Sequence, residues 1–192
     1  MPAQLVFATN NRHKLEEVAA KVGGGIQLLT LADIGCNEDI AETGSTFEEN
    51  ASIKSRYIYD KYHLNCFGDD SGLEVDALNG EPGVYSARYA GIHGDHAANI
   101  TKLLENLKDT DSRKARFKTV ISLILDAEEH FFEGMVEGSI RHEPVGTAGF
   151  GYDPVFQPDG YSITFAEMSM AEKNRISHRA KAMEKLIVFL KQ

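Results

Sequence analysis

The first thirty residues place a strand, a helix and a second strand in immediate succession. Residues 4–8 form an apolar run that predicts a buried strand, and Leu15, Val18, Ala19 and Val22 follow at helical spacing. Glycines at 23–25 end this helix, and residues 26–29 predict the next strand. This unit constrains the fold strongly, because parallel strands need such a crossover connection.

Later segments add hairpins to this crossover. A capping box, either Thr46 with Glu49 or Ser45 with Glu48, begins a helix that runs to about residue 62. A short strand is predicted at 66–68 and a separate, half-exposed one at 73–78. The remaining predicted elements are a helix at 96–107, a strand at 115–126, its hairpin partner at 130–136 with an extension at 138–141, a glycine-rich loop at 145–154, a short helix ending near 176 and a last helix from 177. Crossovers and hairpins together predict an α/β fold with a mixed sheet.

Composition limits the classes of function. The chain has 192 residues, 42% hydrophobic and 26% charged, which fits one soluble domain or one domain with two lobes. Its formal net charge of −9 argues against binding nucleic-acid polymers, which require a cationic surface. A small polyanion is still compatible, because a few lysines and Mg²⁺ reverse the local field.

Neither the cysteines nor the apolar segments indicate secretion or a membrane. Cys36 and Cys66 lack metal-ligand spacing and are expected to be core thiols. Residues 1–8 have neither the basic region nor the long apolar region of a signal peptide. The longest apolar stretch, at 120–125, is too short to span a bilayer. We therefore expect a cytoplasmic protein without a membrane partner.

Two adjacent carboxylates, Asp69 and Asp70, are the strongest candidates for chemistry. They follow the short strand at 66–68 and precede a Ser-Gly turn at 71–72. Burying unpaired charge is costly, so such a pair is poor core material but a good ligand set for a hard divalent cation. An alternative is a purely structural turn in which Asp70 hydrogen-bonds the backbone.

Cations and amides near helix starts could bind phosphate. Asn10 and Asn11 join the first strand to a helix whose N-terminus attracts anions, and Lys14 lies in its first turn. A simple helix cap followed by a solvated lysine is the alternative. Asn50 and Lys54 are four residues apart and share one helix face, which could equally be an ordinary polar face.

Three further segments carry candidate groups. Glu42 could be a second carboxylate for the same metal or a simple loop acid. The segment Gly149–Pro154 places two aromatic residues between glycines, which suits stacking on a base or a tight loop with Phe150 in the core. Arg179 ends a Ser-His-Arg triplet and offers a rigid donor fork for an oxo group or phosphate.

Taken in order, these segments resemble the Ham1/inosine triphosphatase-like family of non-canonical purine nucleoside triphosphate pyrophosphatases. The matching segments are 8–11 with Lys14, 42–51 with Lys54, 69–73, 82–89, 149–154, and 172–173 with 177–179. Six matches in the family's order are highly specific, and they extend from residue 8 to residue 179.

The resemblance implies a reaction and an architecture. The reaction is the Mg²⁺-dependent hydrolysis of ITP, dITP or XTP to the monophosphate and pyrophosphate, which keeps these nucleotides out of DNA and RNA. The architecture is a single ITPase-like domain, residues 1–192, elongated and two-lobed around a long mixed sheet, with the active-site cleft between the lobes. The resemblance also implies a homodimer.

Residue roles follow from the same resemblance. Asp70 is expected to hold Mg²⁺ and to act as general base, with Glu42 and Asp69 as further metal ligands. The residues expected to bind the substrate are Thr9, Asn10, Asn11, Lys14, Asn50, Lys54, Ser71, Phe150, Gly151, Tyr152, Asp153, Lys173, Ser177, His178 and Arg179. Phe150 would stack on the purine, and the lysines near the N-terminus would contact the triphosphate.

Two positions depart from the family pattern, and two other functions compete. Ala41 stands where many relatives carry an acid, which affects the metal shell, and Ala148 replaces a common glycine. A 6-oxo purine has a hydrogen-bond acceptor at O6 and a donor at N1, whereas adenine has the reverse. Donors such as Arg179 aimed at O6 would therefore reject adenine. The competing functions are a Maf-like pyrophosphatase, disfavoured by the segments 150–153 and 177–179, and a non-enzymatic nucleotide-binding module, disfavoured by the aspartate pair.

Overall fold

The computed structural model describes residues 3–192 of the chain; Met1 and Pro2, at the start of the N-terminal segment considered above, lie outside the described residues. Strands and α-helices alternate as far as residue 125, after which two further strands precede the last two helices. The strands are β1 (Ala3–Phe7), β2 (Ile26–Leu29), β3 (Cys66–Val75), β4 (Lys114–Leu125), β5 (Glu128–Ile140) and β6 (Phe156–Pro158). The α-helices are α1 (Arg12–Val22), α2 (Phe47–Tyr62), α3 (His96–Asn106), α4 (Met170–Ile176) and α5 (His178–Phe189).

The six strands form one mixed sheet in the order β2-β1-β3-β4-β5-β6. β1 pairs in parallel with β2, where Leu5 lies opposite Leu28, and with β3, where Phe7 lies opposite Phe67. β5 pairs antiparallel with β6. The predicted α/β class with a mixed sheet is therefore confirmed.

The chain divides into two compact units. The first comprises residues 1–70, 119–134 and 179–192, and the second comprises residues 71–118 and 135–178. β3, β4 and β5 each contribute residues to both units.

Each unit has its own apolar core. In the first unit, Phe7 and Phe67 stack with ring centroids 4.5 Å apart, and Met183 and Leu186 of α5 belong to the same cluster. The core of the second unit includes Phe156 and Phe165, both fully buried. Burying each side chain of this size contributes about 1.5–3 kcal/mol. No helix within residues 3–192 is long and apolar enough to cross a membrane.

Local signals predicted most element boundaries closely. α2 begins after Thr46, whose hydroxyl accepts a hydrogen bond from the amide of Glu49, while the Glu49 carboxylate accepts from Ser45. Ser169 and Glu172 form the predicted reciprocal capping box of α4. Both cysteines are buried, as expected of core thiols.

The prediction of two short strands around the aspartate pair was wrong. β3 is one ten-residue strand that continues through residues 69–72, so Asp69 and Asp70 lie inside it rather than in a turn. Charged residues are normally depleted in strands, but this preference depends strongly on what surrounds the side chain. The partners of the two carboxylates come from distant parts of the sequence, which the local pattern does not reveal. β6, a three-residue strand, was also not predicted.

Candidate active site

Asp69 is buried at the centre of an ion-pair network in the first unit. Its Oδ1 accepts a hydrogen bond from Lys14 Nζ at 3.0 Å, and its Oδ2 accepts one from Arg179 Nε at 3.1 Å. Burial alone would raise the pKa of Asp69, but Lys14, Arg179 and Lys54 outweigh it and hold the pKa well below its ordinary value. Asp69 is therefore ionised, and it orients two cations.

Asp70 is also buried, but its pKa is shifted in the opposite direction. Burial raises its pKa to about 6, although Lys54 and Lys14 lower it, and the nearby Glu42 carboxylate raises it further. Its Oδ2 accepts a hydrogen bond from Asn50 Nδ2 at 2.9 Å. Asp70 is thus the carboxyl group of the pair that can take up a proton near neutral pH.

The amide of Asn50 is held in one orientation from its other end. The backbone N–H of Gly44 donates to Asn50 Oδ1 at 2.8 Å, which leaves Nδ2 to donate to Asp70. A Cβ on Gly44 would lie 2.8 Å from the same Oδ1, so only glycine allows this approach. Asn50 was predicted as a substrate ligand; the structure gives it a hydrogen bond to Asp70.

Lys54 connects the acidic residues of this unit. Its Nζ donates to the Glu42 carboxylate and to the backbone carbonyl of Asp69. Burial would lower the pKa of Lys54, but Asp69, Glu42 and Asp70 outweigh it and raise the pKa. For Lys14 the balance is reversed, because burial is the largest effect and lowers its pKa despite Asp69.

Gly68 lets α2 approach β3 closely enough for these contacts. A Cβ at this position would lie 2.7 Å from the Ala51 carbonyl oxygen and 2.9 Å from Lys54 Cβ. Both neighbours belong to α2, which carries Asn50 and Lys54 on its buried face. The close approach thus sets the position of both side chains.

The turn before α1 is a helix cap as well as a candidate phosphate site. Asn11 Oδ1 accepts from the backbone N–H of Lys14 at 3.2 Å, and Thr9 Oγ1 accepts from the backbone N–H of Asn11 at 3.1 Å. Asn10 is exposed. The capping alternative therefore describes Asn11 correctly, whereas the Lys14 side chain is partly buried and bound to Asp69.

Glu17 is a further member of this network that the sequence pattern did not indicate. Its carboxylate accepts a hydrogen bond from Arg179 Nη1, and its side chain is buried on α1. Arg179 therefore binds both Glu17 and Asp69. The local pattern gave no signal for it, because Glu17 is not at the helical spacing of the apolar residues Leu15, Val18 and Val22.

In the second unit, Asp153 organises the glycine-rich loop. Its Oδ2 accepts hydrogen bonds from the backbone N–H of Phe150 at 3.0 Å and from Lys173 Nζ at 2.7 Å. Gly149 has a φ of +74°, and a Cβ there would lie 2.0 Å from Asp153 Oδ2. Lys173 Nζ lies 5.0 Å from the centroid of the Phe150 ring, within cation–π range. Three predicted substrate residues are thus brought together here.

Tyr152 points into the core of the second unit. Its side chain is buried, and its hydroxyl donates to the carbonyl oxygen of Ser86 at 2.8 Å. Burial raises the pKa of Tyr152, so it stays protonated. Gly151, before it, has a φ of +61°, which glycine adopts readily.

The predicted Ser-His-Arg triplet is divided between the two units. Ser177 is buried at the end of α4, and its backbone N–H donates to the Lys173 carbonyl at 2.8 Å. The His178 ring stacks on Phe117, with centroids 4.7 Å apart. Arg179 belongs to the first unit, with Glu17 and Asp69, while Ser71 is the half-buried first residue of the second unit.

The carboxylates fit a divalent cation that also binds substrate oxygens. Within residues 3–192, no three His, Cys, Asp or Glu side chains form a ready-made metal site. Asp70 and Glu42 are nevertheless close enough for their charges to oppose one another, which a cation would relieve. Mg²⁺ is commonly held by one or two carboxylates together with phosphate oxygens. Asp69 fits less well, because both of its oxygens already accept from cationic side chains.

The fold and the site together define a mixed α/β protein in which buried carboxylates, lysines and an arginine surround adjacent aspartates. Residues 5–189 match the Ham1 family, and the chain belongs to it.

Full-length relatives support this assignment. A dITP/XTP pyrophosphatase of Christiangramia forsetii is 54% identical, over 97% of this chain and 98% of its own. A dITP/XTP pyrophosphatase of Flavobacterium psychrophilum is 51% identical, over 98% and 99% of the two chains. The structure of the Staphylococcus aureus Ham1 protein matches with a TM-score of 0.89 at 42% identity, over 98% of each chain.

Proposed function

We propose that this protein is a nucleoside triphosphate pyrophosphatase that hydrolyses non-canonical purine nucleotides, dITP, ITP and XTP, to the monophosphate and pyrophosphate. The observation that carries the proposal is the buried Asp69–Asp70 pair, which lies among the cationic side chains Lys14, Lys54 and Arg179. The names of the full-length relatives support the same reaction. By removing these nucleotides the enzyme would keep deaminated purines out of DNA and RNA.

Asp70 is the proposed general base. Without metal, burial raises its pKa to about 6, so Asp70 is mostly ionised at neutral pH and able to accept a proton. Asn50 fixes its orientation through the 2.9 Å hydrogen bond. Asp70 then accepts the proton of the water that attacks the phosphate chain, while the linkage between the α- and β-phosphates breaks and pyrophosphate leaves.

The cations of the first unit are proposed to bind the triphosphate. Lys14 and Lys54 would neutralise phosphate charge, and Thr9, Asn10 and Asn11 would contribute polar groups at the start of α1. Asp69 holds Lys14 in place, and Glu42 holds Lys54. Substrate phosphates would therefore meet cations that are already oriented.

Mg²⁺ is the proposed cofactor, held by Asp70 and Glu42, with Asp69 as a weaker candidate. When bound, Mg²⁺ would neutralise charge on the phosphates and stabilise the departing pyrophosphate. Metal removal is part of the test below.

The second unit is proposed to bind the purine. Phe150 would stack on the base, with Asp153 and Lys173 beside it and Tyr152 supporting the loop. The further proposed contacts with the nucleotide are Ser71, Gly151, Ser177 and His178. Arg179, oriented by Glu17 and Asp69, is the proposed donor to O6, which would favour 6-oxo purines over adenine.

The assembly is also part of the proposal. Residues 1–192 would act as one domain, because three strands carry residues of both units. The family resemblance supports a homodimer, and the cysteine pattern of the sequence supports a cytoplasmic location. Light scattering after size-exclusion chromatography measures the oligomeric state directly, and a monomeric mass would contradict the dimer.

The reaction is tested by pyrophosphate release from dITP, XTP, dGTP, dATP and dTTP, each with Mg²⁺ and with EDTA. We expect fast release from dITP and XTP that EDTA abolishes, and slow release from the canonical nucleotides. Asp70→Asn should lower the rate of release by about a hundredfold or more, while leaving nucleotide binding measurable by calorimetry. An unchanged rate in this variant would remove Asp70 from catalysis, and no release by the unmodified protein would exclude the proposed reaction.

A further inference from the structure

A glutamate of the β4–β5 hairpin contacts the helix that carries Asn50 and Lys54, although no sequence motif pointed to it. Glu129 is the second residue of β5, and its side chain is only 13% exposed. Its Oε1 accepts a hydrogen bond from Ser52 Oγ of α2 at 2.6 Å. Its Oε2 pairs with the guanidinium of Arg56, one turn further along α2. The hairpin residue and the helix both belong to the first unit.

A serine of β4 completes this contact. Ser122 is fully buried, and its hydroxyl donates to Glu129 Oε1 at 2.8 Å. The same hydroxyl lies 2.6 Å from the hydroxyl of Ser55, which is fully buried on α2. Ser52, Ser55 and Arg56 are spaced three and four residues apart and therefore share one face of the helix. One face of α2 is thus held by polar groups of the hairpin.

Glu129 is ionised in this position. Burial alone would raise the pKa of Glu129, but hydrogen bonds from Ser52 and Ser122 and the charge of Arg56 outweigh it and lower the pKa. Hydrogen bonds to a charged acceptor are about twice as strong as neutral ones. The Arg56 side chain is mostly exposed, so the two serines carry most of the contact.

The hairpin is itself fixed beside β3. Its two turn residues, Asp126 and Ala127, have φ values of +49° and +74°, the left-handed conformations of a tight two-residue turn. Asn65, immediately before β3, accepts from the backbone N–H of Asp126 at 2.9 Å and donates to the Asp126 carboxylate at 3.1 Å. Glu129 follows directly after this turn and the first residue of β5, so its position relative to β3 is fixed.

The contacts with Glu129 lie next to the two site residues of α2. Asn50 donates to Asp70, and Lys54 donates to the backbone carbonyl of Asp69. Ser52 lies between Asn50 and Lys54, two positions from each. Over so short a span a helix moves as one piece, so a shift at Ser52 displaces both side chains. Misplacement of a catalytic arrangement by about 1 Å can lower the rate by about a hundredfold.

We propose that Glu129 is a positioning residue for the hydrolysis, because it holds α2 where Asn50 orients Asp70. This inference rests on the proposed function and extends it to a residue of the hairpin. The role depends mainly on an acceptor oxygen for the two serines, so glutamine should largely replace Glu129, whereas alanine should not.

Three variants test this role: Glu129→Ala, Glu129→Gln and, as a matched control, Glu128→Ala. Glu128 is the preceding residue, is exposed, and lies 3.9 Å from His130 Nε2. The kinetic readouts are kcat and KM for dITP at saturating Mg²⁺, corrected for the folded fraction found by thermal unfolding. The structural readout is the rate at which the Asn50 side-chain amide protons exchange with water, measured by NMR and assigned with Asn50→Ala.

We expect Glu129→Ala to lower kcat about 10- to 100-fold per folded molecule, with KM changing less than about threefold. KM should hold because Lys14 lies on α1 and the proposed base site lies in the second unit. The Asn50 amide should exchange at least about tenfold faster, since its hydrogen bond to Asp70 is loosened. Glu129→Gln and the control should stay close to the unmodified protein. Lower stability alone would reduce the folded fraction and leave kcat per folded molecule unchanged.

Several results would overturn the proposal. These are a kcat of Glu129→Ala within about threefold of the unmodified value, an unchanged Asn50 exchange rate, or an equal loss of kcat in Glu129→Gln or in the control. If Glu129→Ala does not fold, Ser52→Ala takes its place in both measurements, because it removes one donor to the same carboxylate. Its kcat should fall about 3- to 10-fold, in the range of one hydrogen bond.

Failure of the proposed function has a different signature. If the unmodified protein releases no pyrophosphate from any nucleotide, the reaction is excluded, but the Asn50 exchange rate still measures whether Glu129 holds the helix. Faster exchange in Glu129→Ala than in the control and in the unmodified protein then supports the positioning of Asn50 by Glu129. Equal exchange rates overturn it.

Discussion

The cluster around Asp69 and Asp70 and the cluster around Phe150 both bury a lysine–aspartate ion pair, but they use it differently. In the second cluster, Lys173 and Asp153 pair with one another beside aromatic rings and shape a loop. In the first, several carboxylates compete for Lys14, Lys54 and Arg179, and Asp70 is left with a raised pKa. The aromatic cluster thus suits binding, whereas the cluster around the aspartate pair suits proton transfer.

The largest expected effect comes from removing the proton acceptor. Asp70→Asn should lower kcat by about 10²- to 10⁴-fold, the usual contribution of a general base. Binding of substrate should change far less. Pyrophosphate release measured at saturating dITP checks this, with the exposed Asp109→Asn as control. A kcat within tenfold of the unmodified protein would contradict the role of Asp70.

In the absence of metal, Asp70→Asn should also raise the free energy of unfolding. The folded-state pKa of about 6 exceeds the ordinary 3.8, so ionised Asp70 destabilises the protein at pH above about 6, and this cost disappears toward pH 4. Asp70→Asn should therefore be more stable than the unmodified protein by about 1–3 kcal/mol at pH 7.5 and nearly equal to it at pH 4. Urea unfolding in EDTA at both pH values measures the difference.

Removing the neighbouring carboxylate should have the opposite effect on stability. Asp69→Asn leaves Lys14 and Arg179 without their shared anionic partner in a buried position, which typically costs about 3–5 kcal/mol. An exposed pair, Glu105 with Lys108, provides the control, because Glu105→Gln should cost at most about 1 kcal/mol. Similar urea midpoints for Asp69→Asn and the control would show that the buried network contributes little.

The aromatic cluster should respond in affinity rather than in turnover. Phe150→Ala is expected to raise KM for dITP about 10- to 100-fold, because it removes the stacking face, while kcat changes little. Phe150→Tyr keeps the ring and serves as the matched variant. Steady-state kinetics of both separate the effects, and a loss confined to kcat would place Phe150 outside the base site.

The smallest effect is expected where the aromatic cluster joins the core. Tyr152→Phe removes the hydroxyl donor to Ser86 and should cost about 0.5–1.5 kcal/mol in stability. The Ser86 carbonyl still accepts from Asn99, which limits the loss. Urea unfolding, with the exposed Tyr85→Phe as control, measures it. A change in kcat larger than in stability would indicate a direct catalytic role.

Local signals in the sequence predicted the elements well and the contacts less well. Capping residues and apolar spacing located α2, α3 and α4, because helix ends depend on residues three or four positions apart. The continuity of β3 was missed, since its carboxylates are stabilised by Lys14 and Arg179, which lie 55 and 110 residues from Asp69. Glu17 was missed for the same reason.

The candidate site was found mainly because the family resemblance joined separate segments. Asp69, Asp70, Lys14 and Lys54 do lie in one network, and Phe150, Asp153 and Lys173 lie in another. The pattern did not predict that Arg179 would bind two carboxylates, or that Tyr152 would point into the core.

Adding a single methyl group at Gly68 would disturb more than one side chain of the site. The Cβ of an alanine at this position would clash with a backbone carbonyl of α2, which cannot change its rotamer as a side chain can. The whole helix would have to retreat, and an amide and an ammonium group would be withdrawn together. Gly68→Ala is therefore expected to displace Asn50 and Lys54 together. This position should tolerate substitution much less well than the small size of the added methyl group suggests.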